Sequence, residues 1–421
     1  RATATTESGG NQPPSWKNLS LVNSASTASS SPQHSFVIQL ASQPANLQPN
    51  SRLAVCSPSN QILLLDRRSL QPIDGQLLGS GHDSQIVDCR FSRAAWNELL
   101  TCASRWDDQL LLWDLRVNNN KGGSAAIVRF NSESGDCMST ADISCDGLLL
   151  CAGAELDSAN QDARIVFWDR RFPTAPLGCY SDSHQDSLAR VRFHPSRSRR
   201  LLTAGLDGLA CSFDLTAECE DDALVFTYNA GCGIHGADWI AADSDLQLKP
   251  AQLAESVAYV LTGQEGYALF EAEELGDTLM ELDRLPVLGG PTVHDDASEE
   301  ADGGVTSRVA DYIVGPLTSG HHLLVGRHSG RLGVLSLKQQ TAPVWLSEDA
   351  VGHADTVRCC HWDSETNSLV TGSEDGMLCL WQQQTASGSL SAASRPAESF
   401  AKKERQKKRK QRRARMGPVS G

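Results

Sequence analysis

Long apolar runs are missing from this chain of 421 residues; the stretches at 62–65 and 148–150 are typical. A membrane-spanning helix needs roughly 18 such residues, so a transmembrane protein is excluded. No C-x-x-C pair occurs among the 13 cysteines, which are scattered through apolar segments at positions such as Cys56, Cys145, Cys151, Cys211 and Cys379. That pattern argues against a zinc site and reads as buried thiols in a reducing compartment. Enzymatic signatures are absent too: there is no P-loop, no G-x-S-x-G, no H-E-x-x-H and no dinucleotide fingerprint after a strand. The sequence therefore predicts neither catalysis nor a cofactor.

Charge of one sign is missing from one place. Residues 402–415 hold ten Lys or Arg and a single acid, Glu404, which leaves 27 basic against 50 acidic residues, net −23, for the rest of the chain. An acidic body repels a phosphate backbone, so nucleic-acid contact would have to come through the basic tail.

What is present is repetition. The segments GHDSQIVDCRF from Gly81, SHQDSLARVRF from Ser183 and GHADTVRCCHW from Gly352 align, and each leads through a second apolar run and a polar turn to a third run ending in Trp-Asp or a variant of it. The runs are four to six residues long, rich in Val, Leu, Cys and Phe, and broken by Gly and Asp, which is the pattern of an antiparallel meander. The pairs Asp107/Trp113, Asp162/Trp168, Asp207/Phe213 and Asp375/Trp381 are each six residues apart. A hairpin register fixes such a spacing. Weaker copies at Asn60, Glu265 and Ser329 complete a series of turn positions 60, 107, 162, 207, 265, 329 and 375, with steps of 45 to 64 residues. Seven units result.

This GH…WD pattern resembles the WD-repeat family over about residues 36–382. The resemblance implies an all-β fold, a seven-bladed WD-repeat β-propeller with disordered N- and C-terminal tails, in which closure of the ring leaves no long exposed sheet edge. The expected organisation is a disordered tail at 1–33, the propeller at 34–386 with an acidic loop insertion at about 271–304, and a Ser-rich linker with the basic tail at 387–421. Either residues 36–40 or residues 19–22 supply the strand that closes the ring.

The family likeness also implies roles for individual side chains. His82, Thr101, Asp107 and Trp113 match the chain in which an indole bonds a Thr hydroxyl, the hydroxyl an imidazole, and the imidazole a turn carboxylate; His353, Thr371, Asp375 and Trp381 match it again. Blade four keeps His184, Thr203 and Asp207 but ends in Phe213, blade three offers Asp162 and Trp168, and blade two has a two-residue insertion between Thr101 and Asp107. These sets look like Ser/His/Asp triads, yet they recur from blade to blade as catalytic sets do not, and so they read as structural.

Three groups remain as candidates for contact with partners. Arg105 and Trp106, with Gln161, Leu206, Arg358 and Glu374, occupy the turns between strands b and c or the start of strand a, on the face where the family binds partners; Trp106 either anchors a partner or folds over its own blade. Leu65-Asp66-Arg67-Arg68, Trp113-Asp114-Leu115-Arg116 and Trp168-Asp169-Arg170-Arg171 give an Asp-x-Arg pattern in three consecutive units. It is similar to the pattern with which WD-repeat substrate receptors dock on the adaptor of cullin-RING ubiquitin ligases, and Arg68, Asp114, Arg116, Asp169 and Arg171 are the candidate docking residues; the other reading is an ion pair within each blade. Lys402, Lys403, Arg405, Lys407, Lys408, Arg409, Lys410, Arg412, Arg413 and Arg415 form a basic tail fit for an import receptor or RNA, without interleaved aromatics to stack on bases. The sequence thus predicts a non-enzymatic scaffold, a monomer within a complex, that binds protein partners in the nucleus or nucleolus, with the cytoplasm also open. Alternatives are a ubiquitin-ligase substrate receptor and a ribosome-assembly or RNA-associated factor.

Overall fold

The computed structural model describes residues 16, 19–27, 36–44, 52–58, 60–78, 81–104, 109–116, 126–132, 137–156, 163–240, 256–274, 276–285, 310–317, 320–339, 342–346 and 352–383, with backbone alone at 74–78 and 126–127. Within them the chain forms seven four-stranded antiparallel sheets. The first strand is β1 (Leu19–Ser26), which is set apart from its neighbours in sequence. Blade one is β2 (Gln39–Ser42), β3 (Arg52–Cys56), β4 (Ile62–Asp66) and β5 (Pro72–Leu78). Blade two is β6 (Ile86–Phe91), β7 (Glu98–Ala103), β8 (Gln109–Asp114) and β9 (Ala126–Asn131). Blade three is β10 (Met138–Ile143), β11 (Leu149–Ala154), β12 (Ile165–Asp169) and β13 (Gly178–Tyr180). Blade four is β14 (Leu188–Phe193), β15 (Arg200–Gly205), β16 (Leu209–Asp214) and β17 (Leu224–Asn229), with the short α1 (Glu220–Ala223) before its last strand. Blade five is β18 (Ile234–Ile240), β19 (Val257–Thr262), β20 (Tyr267–Glu271) and β21 (Thr278–Leu282). Blade six is β22 (Tyr312–Leu317), β23 (His322–Gly326), β24 (Leu332–Ser336) and β25 (Val344–Trp345). Blade seven is β26 (Val357–Asp363), β27 (Ser368–Ser373) and β28 (Met377–Gln383), and β1 is its outer strand. The seven-bladed propeller expected from the repeats is the fold observed.

Two expectations on boundaries are corrected. The tail expected at 1–33 contains β1, which pairs with β28 from Leu19↔Gln383 to Ser26↔Met377 and so closes the ring. Its sequence, LSLVNSAS, is polar enough to read as tail because an outer strand needs backbone hydrogen bonds more than a buried face. Trp16, just before it, is buried against Trp362 and His322, with ring centroids 5.1 and 5.2 Å apart. The acidic loop expected at 271–304 begins too early, since β21 is the fourth strand of blade five. Residues 286–309, the linker and the basic tail lie outside the described residues.

The apolar core lies between blades. Seven clusters of buried side chains each join two neighbouring blades, as where Cys56, Ile62 and Leu64 of blade one meet Ile86, Leu99 and Trp113 of blade two, and where Leu53 and Val55 meet Val370, Leu378 and Leu380 across the closing seam. Strands b and c carry this burial on both faces, which is why they read as continuous apolar runs such as ELLTCA and IVFWD. The b–c turns use the left-handed backbone region. Asn60 and Glu265 adopt it themselves, while Gly208, Gly330 and Gly376 adopt it directly after the turn residue. At Gly330 a Cβ would approach the His353 carbonyl oxygen at 2.4 Å, so a side chain is excluded by both conformation and space.

Candidate functional site

The imidazole–hydroxyl–indole chains assemble inside the blades. In blade two His82 Nε2 lies 2.8 Å from Thr101 Oγ1, and Trp113 Nε1 donates to the same oxygen at 2.8 Å. The insertion after Thr101 therefore leaves that side chain in register. In blade seven His353 Nε2 is 2.7 Å from Thr371 Oγ1, Trp381 Nε1 donates to Thr371 at 2.9 Å, and His353 Nδ1 faces Asp375 at 3.6 Å. Blade four makes the imidazole half more tightly: His184 bonds Thr203 at 2.7 Å and Asp207 at 3.0 Å, while Phe213 offers no donor. Burial opposes charge on His184, but Asp207 and Cys211 together outweigh it and raise its pKa to about 9. Blade three departs from the set. Its Trp168 indole donates to the Asn131 carbonyl of blade two at 3.1 Å, because no Thr–His pair stands opposite it. Asp107 and Asp162 lie outside the described residues. Thr101, Thr203 and Thr371 are fully buried, so none of these hydroxyls meets a substrate, and the chains pin strands together.

The rim that carries the b–c turns, here the top, holds two exposed leucines whose backbones bond the same serine. The backbone N–H of Leu206 donates to the Ser187 carbonyl at 2.9 Å, and that of Leu156 donates to Ser187 Oγ at 2.8 Å, so leucines from blades four and three flank one serine. They are 49 % and 39 % exposed. Leu156 has no counterpart in the repeat pattern and sequence reasoning missed it. Arg358 and Glu374, expected on the same face, pair with each other at 2.5 Å. Arg105, Trp106 and Gln161 lie outside the described residues.

On the opposite rim the Asp-x-Arg side chains close on themselves. Arg116 makes a two-pronged pair with Asp114 (2.6 and 3.0 Å), and Arg171 does the same with Asp169 (2.5 and 2.9 Å). Each arginine holds its aspartate well below the usual carboxylate range. Arg68 is exposed and bonds Asp66 through its backbone N–H. The residues beside them tie blades together. Buried Arg67 of blade one pairs with Asp363 of blade seven at 2.9 Å, Arg170 of blade three pairs with Glu98 of blade two, and Arg200 of blade four pairs with Glu273 of blade five at 2.5 Å.

A further set escaped sequence reasoning. The inner strands of blades two to five each place a charged residue immediately before a bulky one that packs on strand b: Arg90 before Phe91, Asp142 before Ile143, Arg192 before Phe193 and Asp238 before Trp239. Arg90 Nη2 reaches Asp238 at 2.7 Å, and Arg192 Nη1 reaches Asp88 at 2.8 Å and Thr140 at 3.0 Å. Burial pushes Asp142 up to about 6 against the opposing pull of Arg90 and Arg93. These residues line a central cavity of about 1130 Å³. The alternation Arg, Asp, Arg, Asp at one position of successive repeats was the legible signal.

Comparison with known proteins agrees with the architecture. The family model for WD40 (WD domain, G-beta repeat) matches residues 347–382, the seventh blade, which retains the Gly-His start, the Thr, the turn Asp and the Trp together. The chain is 23 % identical over 347 residues to WD repeat-containing protein 89 homolog of Dictyostelium discoideum, covering 80 % of this chain and 81 % of that protein. It is 25 % identical over 356 residues to WD repeat-containing protein GTS1 of Arabidopsis thaliana, with 80 % and 81 % covered. An uncharacterized WD repeat-containing protein of Saccharomyces cerevisiae is 29 % identical over 200 residues, 48 % of this chain and 44 % of that protein.

Proposed function

We propose that this chain, a WD-repeat propeller, is a non-enzymatic scaffold whose top rim binds a protein partner within a nuclear complex. Propellers of this kind generally serve as interaction scaffolds and bind proteins. The observation that carries the reading is the pair Leu156 and Leu206, both exposed and both bonded through the backbone to Ser187, on a frame whose cross-blade seams hold it in shape. A rigid receptor loses little conformational entropy on binding, so a small apolar anchor there contributes effectively. Among the described residues no helix is long and apolar enough to cross a membrane. The test is proximity labelling of the wild-type chain against a Leu156→Asp, Leu206→Asp variant, and loss of a defined set of neighbours is expected.

A second reading, a substrate receptor of a cullin-RING ligase, rests on the Asp-x-Arg pairs, where Arg116 and Arg171 remain 63 % and 67 % exposed beside their aspartates. Changing both to Ala while the ligase adaptor still co-purifies, or never co-purifies, removes that reading. Nuclear or nucleolar enrichment is proposed from the ten basic residues at 402–415, which suit an import receptor or RNA. A chain ending near Ser399 should then become cytoplasmic, and an unchanged distribution rejects the address.

A further inference from the structure

Among the described residues, the channel wall mixes paired arginines with one, Arg190, that has no carboxylate beside it. Arg192 is buried, with Nη1 on Asp88 and Thr140 and Nε 3.7 Å from Asp238, the carboxylate that Arg90 Nη2 also holds at 2.7 Å; neither Nε makes a hydrogen bond. Arg190, two residues before Arg192 on β14, is half-buried and donates from Nη1 to the Ala189 carbonyl at 2.6 Å; no carboxylate among the described residues stands at ion-pair distance from it. His235 and Tyr259 line the same cavity, and burial together with Arg190 lowers the pKa of His235. Six arginines and five acids contribute to this wall, and Arg67, Arg90, Arg192 and Arg358 already pair with carboxylates. A guanidinium beside a cavity with no carboxylate partner marks a place where an anion can pair, and its fork matches phosphate oxygens in geometry and charge.

We propose that the propeller channel binds a small phosphate-bearing anion, with Arg190 and His235 as its main contacts. A cavity of about 1130 Å³ has room for such a ligand with its bridging waters. The probe is inorganic pyrophosphate, titrated calorimetrically into the full chain at about 0.15 M salt, where contacts with exposed lysines are largely screened. One site per chain is expected. Arg190→Gln should weaken it about tenfold or more, and His235→Asn, at a position exposed to the channel, should weaken it in the same direction with an unchanged melting temperature. A variant with Lys407, Lys408, Arg409 and Lys410 changed to Gln should bind like the wild type. The proposal is overturned by absence of binding, which would mean that the channel holds water only, by equal affinity in both channel variants, or by loss of binding in the tail variant. Binding of a Glu-rich peptide without any binding of pyrophosphate would overturn it in favour of a peptide channel.

Discussion

The two rims of the ring use their side chains differently. On the bottom rim Arg67, Arg170 and Arg200 each pair with a carboxylate of a neighbouring blade, and Arg116 and Arg171 pair with their own aspartates. On the top rim Leu206 and Leu156 stand exposed around Ser187. The lesson is that charge density does not mark the open surface here. Arg116 and Arg171, which look available in sequence, are paired with their own aspartates, while two leucines that look like misplaced core residues are open to solvent.

The difference can be broken at several points. The largest effect is expected at Arg67, whose pair with Asp363 crosses the closing seam with both side chains 4 % exposed. Arg67→Ala leaves a buried carboxylate uncompensated and should lower unfolding stability by about 3–5 kcal/mol in urea titrations, whereas Arg67→Met with Asp363→Leu should recover most of that loss. Next comes the hydroxyl–indole bond. Trp381→Phe should cost about 1–3 kcal/mol by denaturant unfolding because Thr371 loses its donor, and blade four, with Phe213 already in place, shows that such a blade still folds.

A pH effect follows in size. Because the folded pKa of His184 is about 9, above the ordinary value near 6.5, its stabilising contribution is full below about pH 6.5 and is lost as pH rises toward about 9. Melting temperature measured across that window should fall in the wild type and fall less in Asp207→Asn. Smallest are Arg116→Ala and Arg171→Ala, which remove exposed pairs and should leave the melting temperature within about a degree.

Legibility in the sequence followed burial. Strands b and c are apolar on both faces, so segments such as ELLTCA could be placed from composition, and the six-residue spacing to the terminal aromatic placed their partners. β1 could not be assigned because its alternation is weak; the sequence left open whether it or residues 36–40 closed the ring. β21 was hidden because its two acidic neighbours on either side, Asp277 and Asp283, merge with the acidic stretch that follows. The channel residues were missed for a different reason. A charged residue in the middle of a strand reads as solvent-facing, and only the ring turns that face inward, bringing Arg90 to Asp238 across 148 residues of sequence. Leu206 was legible as a turn residue, but its neighbour Leu156 became visible only through their shared contact with Ser187.

The most direct test of the scaffold reading compares the Leu156→Asp, Leu206→Asp variant with the wild type by quantitative affinity purification at matched abundance, with melting temperature measured in parallel. At least one co-purifying protein should fall about tenfold or more while the melting temperature stays within about two degrees, since exposed leucines contribute little to the frame. Recovery of the same proteins in the same amounts from both chains would contradict it.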